Sequence, residues 1–201
     1  MDAKEMVFPG STYGIPMLDI TMQADAVTVP FCVWGRSSRT TNPGGTYCFY
    51  TNDYKFSALW KHPWSLCNSG SVASVEVNFS TSPLQPEAVI IYNTFRKRWL
   101  SRYWQSNGVR IIVDLNVDER WLKTNMIGVP AGWGCYSTRA HRGSNGQILA
   151  AYALAEERCG TRPKMFLVYG GGEEVRKLSE ENGWLWIPEC MQSVKSGRKE
   201  E

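Results

Sequence analysis

Asp114, Asn116, Asp118 and Glu119, with Arg120 beside them, cluster at the carboxyl end of the apolar run 109–115. Carboxylates this close can act as a general acid and base, or as hard oxygen ligands for Mg²⁺. Asp118 and Glu119 also suit the first turn of a short helix, where negative charge meets the positive end of the helix dipole. Asp114 is then the acid with a chemical role to fill. Asn78, Ser137, Arg139 and Tyr169 stand at the ends of other apolar runs. Arg139 can hold a phosphate or carboxylate, Asn78 and Ser137 can orient it, and Asp114 can serve as base or as the group that orients the arginine. The alternative is that these groups satisfy one another along a sheet edge.

Other candidates carry less chemistry. Gly170, Gly171 and Gly172 sit between an apolar run and a helical one, but the lysine of a phosphate loop and the spacing of a dinucleotide fingerprint are missing. Glu173 and Glu174 at the helix start would repel an anion, so a tight turn is expected there. Tyr92 and Tyr103 could attack a phosphodiester only with strong activation of the phosphate, which the sequence does not display. The six cysteines have no CxxC pair and there are two histidines, so no structural zinc and no disulfide framework are expected. Mg²⁺ is permitted by the acids, and no other cofactor is indicated.

The elements that must position these residues alternate along the chain. Strand signals at 29–34, 71–79, 109–115, 134–138, 165–169 and 184–187 are interleaved with helical patterns at 118–123, 147–158 and 173–181, and with a long helix opened by Pro86. The later strands are apolar on both faces, the mark of a mostly parallel sheet covered by helices. An α/β domain follows, either an open three-layer sheet or an incomplete TIM-like barrel. Its carboxyl strand ends share one rim, the usual ligand edge of such folds. Residues 1–28 are expected to form an irregular arm, 29–189 a single domain, and 190–201 a charged, disordered tail.

Placed at 100° intervals, Ala88, Ile91, Tyr92, Phe95, Trp99 and Tyr103 share one face of the long helix and are expected to meet the sheet. Arg102 falls inside that arc and Arg96 at its edge. Burial of a guanidinium calls for an anionic partner, so both are read as structural ion pairs or as anion ligands, with Asp114 the first partner for Arg102. Thr94, Lys97 and Arg98 are expected on the solvated face.

Composition bounds the partners. A net charge of +3 is far from that of a protein holding duplex DNA through many phosphates, so nucleic acid is permitted without being demanded. Nine Trp and nine Tyr leave aromatic rings beyond core packing for stacking on bases or on a protein partner. No apolar run approaches the roughly 20 residues that span a bilayer, and the first residues lack the apolar centre of a signal peptide. The expectation is a cytoplasmic protein, in a host cell if phage-encoded.

The segments 50–54 (Tyr-Thr-Asn-Asp-Tyr), 91–99 (Ile-Tyr-Asn-Thr-Phe-Arg-Lys-Arg-Trp) and 103–108 (Tyr-Trp-Gln-Ser-Asn-Gly) resemble the phage- and plasmid-associated domain of unknown function 4417 family. The resemblance runs from about residue 29 to 189. It implies a mobile-element setting and brings no established activity. Where related sequences tend toward Ser-Pro-Asp, this chain has Val77-Asn78-Phe79-Ser80, so the resemblance supplies no carboxylate at that point. The leading expectation is a protein that binds nucleic acid or nucleotides in replication or host takeover. A small TIM-like enzyme acting on a phosphorylated or anionic molecule is the second, and a protein that binds a host factor the third. Convergence of Asp114, Asn78, Ser137 and Arg139 would favour the second, and an open basic aromatic groove the first.

Overall fold

A computed structural model describes residues 8–35 and 41–189. Seven strands form one sheet in the order β1 to β7: Phe31–Val33, Thr46–Cys48, Ala73–Val75, Arg110–Asp114, Cys135–Ala140, Met165–Gly170 and Leu185–Ile187. Every neighbouring pair is parallel. Between them lie α1 (Trp64–Cys67), α2 (Glu87–Ser106), α3 (Leu122–Asn125), α4 (Asn145–Cys159) and α5 (Gly172–Asn182).

Strand order equal to chain order has a geometric consequence. Parallel crossovers are right-handed, so stepping always in one direction sends every connection over the same face of the sheet. A doubly wound sheet would require the order to reverse. Here it never does, and the sheet curls into a half-barrel with the helices outside. This settles the choice between the two architectures in favour of the incomplete barrel.

Side-chain alternation then divides the core. Cys48, Val75, Ile112, Cys135 and Leu167 fill the concave side. Ile111, Val113, Tyr136, Phe166 and Val168 face outward against Leu100, Trp104, Ile148 and Val175. The segment before β1 is tied to the lower end of the sheet. Gln23 bridges Ile111, Ala24 joins the concave core, and Gln105 donates to the carbonyls of Asp19 and Met22.

The long helix departs from the expected phase. Its buried side is Ile90, Thr94, Lys97, Arg98, Leu100, Ser101, Trp104 and Gln105, whereas Tyr92 is half exposed. Thr94, Lys97 and Arg98, expected in solvent, therefore face the sheet. The aromatic stripe packs sideways instead. Trp99 meets Trp60 at 5.5 Å and stacks on Tyr103 at 5.6 Å, while Phe95 lies 6.1 Å from Trp60. An apolar arc marks a face that is covered, and here the cover is the segment before α1 rather than the sheet.

Gly170, Gly171 and Gly172, at the junction of β6 and α5, make the tight turn expected of them, each with positive φ. A Cβ on Gly171 would come within 2.5 Å of Val175 and 2.8 Å of Ala140, so the turn is held tightly between the first turn of α5 and the end of β5. No helix among the described residues is long and apolar enough to cross a membrane.

Candidate functional site at the barrel mouth

Asp114, Ser137, Arg139 and Tyr169 have the same strand parity as the concave core residues, so their side chains rise toward the carboxyl-terminal mouth. Register brings them together: Asp114 pairs with Ser137 across β4 and β5, and Arg139 with Tyr169 across β5 and β6. The exits of β2 and β3 add Tyr50 and Asn78.

Asp114 is the centre, fully buried. Its Oδ1 accepts from the Tyr50 hydroxyl at 3.1 Å and from the Asn116 amide at 3.1 Å. Its Oδ2 accepts from Lys97 Nζ at 2.8 Å and from Asn78 Nδ2 at 3.0 Å. Four donors fill the acceptor capacity of a carboxylate. Tyr50 also meets Ser137 Oγ at 2.7 Å. Because its one proton goes to the carboxylate, Ser137 must be the donor to Tyr50. Burial, reinforced by the charge of Asp114, raises the Tyr50 pKa well above its ordinary value, so the phenol keeps that proton. The Tyr169 ring stacks on Tyr50 at 5.4 Å and closes the cluster from above.

Beneath this group lies a second layer of charge. Lys97 places all three N–H groups, on the Asp114 carboxylate at 2.8 Å, the Asp114 carbonyl at 3.2 Å and Asn125 Oδ1 at 2.9 Å. Arg98 binds Glu76 and the carbonyls of Asn125 and Ile127. Glu76 Oε2 in turn accepts from the Asp114 amide at 3.2 Å. Two cations and two anions are thus sealed between α2 and the sheet. The partner of Asp114 is Lys97, not Arg102. Arg102 points along the flank of the helix toward Asp19, 4.0 Å away. The Arg96 guanidinium lies over the Phe79 and Tyr92 rings at 4.1 and 4.7 Å and donates to Asn93 Oδ1 at 2.5 Å. Aromatic faces, not a carboxylate, cover it, and among the described residues it forms no salt bridge.

Arg139 stands at the open side. Its NH2 meets Glu189 Oε1 at 2.6 Å, with the two side chains 28% and 33% exposed. Next to this pair is a depression of about 440 Å³ lined by His141, Arg142, Gly171, Gly172, Glu173, Glu174 and Glu189. Arg142 and the His141 imidazole therefore share this depression with three carboxylates, Glu173, Glu174 and Glu189. Asp118 caps the turn Glu119–Trp121 through the Arg120 amide at 3.1 Å, the helix-start role expected of it.

Cys67, Cys135 and Cys159 form no disulfide. Among the described residues no group of three or more His, Cys, Asp or Glu side chains is placed to hold a metal ion. Of the residues singled out in the sequence, Asn78, Asp114 and Ser137 converge, and Tyr169 and Arg139 border them. Tyr50, Glu76, Lys97, Arg98 and Asn125 were missed. One signal for them exists: a Glu inside the Val-rich run 71–79 must be paired if that strand is buried.

The fold and the polar mouth define a singly wound parallel α/β half-barrel with its candidate site at the carboxyl strand ends. The chain belongs to the family described as Domain of unknown function (DUF4417), whose model matches residues 8–181. It is 29% identical over 172 residues to the "Gene 1 protein" of Mycobacterium phage L5, covering 80% of this chain and 72% of that protein. It is 30% identical over 110 residues to the "Gene 1 protein" of Mycobacterium phage D29, covering 53% of this chain and 41% of that one. No solved structure matches the chain.

Proposed function

We propose that the chain binds a small phosphorylated or otherwise anionic molecule, a nucleotide first among the candidates, at the mouth of its half-barrel. The observation that carries this reading is the convergence of Asn78, Asp114 and Ser137 through Tyr50, with Arg139 at their open edge. Arg139 supplies the charge for the anion. Asn116, partly exposed beside the cluster, has a side-chain N–H to spare after donating to Asn78 Oδ1, while Asn78 spends both of its N–H groups on Asp114 and the Asn116 carbonyl and serves to hold Asn116 in place. Asp114 acts as the fixed charge that holds these groups, because its lone pairs are already engaged and none is left to take a proton from a substrate.

An extended nucleic acid is the less favoured ligand. A strand of phosphates needs a continuous basic track, and the carboxylates beside His141 and Arg142 interrupt one. The phage-encoded relatives make replication or host takeover the setting in which a nucleotide ligand has a use.

Titration calorimetry with inorganic phosphate, pyrophosphate, ribose 5-phosphate, AMP and ATP tests the reading. At least one phosphate compound should bind, and Arg139→Gln should weaken it about 10- to 100-fold, the range of a charge-assisted hydrogen bond. Binding that instead grows with oligonucleotide length and collapses with salt would replace this reading with a nucleic-acid one. Silence across the whole panel would end it.

A further inference from the structure

The two kinds of ion pair in this protein are built differently. Lys97 and Arg98 are buried; Lys97 directs all three of its N–H groups at oxygens, and each of the three Arg98 nitrogens has an oxygen partner. Arg139 holds Glu189 through one nitrogen, and its buried Nε has no hydrogen-bond partner. A bidentate carboxylate would have satisfied Nε as well, so the pair is not the best structural brace its residues could make.

Position matters as much as geometry. Glu189 lies just after β7, two residues beyond Ile187, and crosses over β6 to reach an arginine on β5. Its carboxylate occupies Arg139 at the rim, and it also lines the depression beside it. A phosphate offers more oxygens than a carboxylate and can engage NH2 and Nε together. The groups around the depression, His141, Arg142 and the backbone of Gly171 and Gly172, are of a kind that would hold the rest of such a ligand.

We infer that Glu189 is a built-in competitor: its carboxylate occupies the place of a ligand phosphate on Arg139, and binding exchanges one anion for the other. The inference rests on the anion-binding reading of the mouth and adds its regulation. Affinity is set by the balance between the internal carboxylate and the incoming phosphate.

The experiment compares wild type, Glu189→Gln, Glu174→Gln and the double variant Arg139→Gln/Glu189→Gln by calorimetry with inorganic phosphate, pyrophosphate and ATP. Glu189→Gln should tighten the phosphate compounds by about three- to tenfold, the scale of removing a partly exposed competing charge. Glu174→Gln removes a carboxylate that lines the same depression without touching Arg139; it relieves only through-space repulsion of the ligand and should tighten binding by less than Glu189→Gln does, by about twofold. The double variant should lose the gain. Equal binding by wild type and Glu189→Gln, or an equal gain in Glu174→Gln, would overturn the competitor and leave the mouth as an anion site. No binding by wild type or Glu189→Gln would overturn the site and the competitor together.

Discussion

The β3–β4 side and the β5–β7 side of the sheet are assembled from the same unit, a strand followed by a covering helix, yet they treat charge in opposite ways. On the first, Glu76, Lys97, Arg98 and Asp114 are at most 3% exposed and are bound to one another and to backbone carbonyls. On the second, Arg139 and Glu189 remain about a third exposed and share one contact. A sealed charge that loses its partner cannot recruit water, so it fixes the arrangement of the elements around it. A partly solvated pair can open and re-form with another anion. The closed half of the mouth is scaffold and the open half is where a ligand can act.

The largest test of this contrast is Arg98→Met. The thioether side chain fills volume but leaves Glu76 buried and unpaired, with Oε1 already lacking a partner. The expected loss is about 3–5 kcal/mol in a urea titration. Lys97→Met should fall in the same range, while Lys97→Met combined with Asp114→Asn should cost less than the sum, with a coupling of about 1–3 kcal/mol. Losses below about 1 kcal/mol in both single variants would show that these charges do not organise the sheet.

A smaller effect comes from Tyr50, at the boundary between the two regions. Its pKa is raised in the folded chain by burial first and by Asp114 second. The unfolded phenol loses its proton near pH 10, while the folded one retains it. Above that pH the folded state binds more protons than the unfolded state, so stability falls as pH rises. The stabilisation is complete below about pH 9 and declines by up to about 1.4 kcal/mol per pH unit above pH 10. Cys67, pushed up to about 11 by burial, contributes in the same direction. Denaturation of Tyr50→Phe across pH 8–11 should show a shallower decline than wild type. Parallel slopes would mean that Tyr50 is not the buried phenol of the cluster.

Much of this arrangement is legible in residue types, and the misses have physical causes. Runs that are apolar on both faces belong to parallel strands, and their carboxyl ends place Asn78, Asp114, Ser137, Arg139 and Tyr169 at one rim. The three-residue strand Thr46–Cys48 is too short for periodicity to show, so Tyr50 at its exit goes unseen. The phase of α2 fails for another reason. Its aromatic residues cover a flank, while its sheet face carries Lys97 and Arg98, and a projection by hydropathy takes charge as a sign of solvent. Long cationic side chains can bury their stems and place only the head group on a partner. Recognising this in advance requires pairing Glu76 and Asp114 with those cations, a tertiary fact that spacing along the helix does not contain.

The smallest effect discriminates best between the two halves of the mouth. Arg139→Ala removes a guanidinium whose pair with Glu189 is partly exposed, and solvent screens much of its energy. The alanine leaves Glu189 free to turn toward water, unlike Glu76 in the sealed layer. The urea midpoint should therefore report a change within about 1 kcal/mol of wild type, several times smaller than for Arg98→Met. Part of any loss will come from the aliphatic stem of Arg139, so Arg139→Met, which keeps that stem, should lie closer still to wild type. A loss above about 3 kcal/mol in both variants would make Arg139–Glu189 a brace like the buried pairs. An arginine that the fold needs cannot be released to a ligand, and the division of the mouth into scaffold and site would then fail.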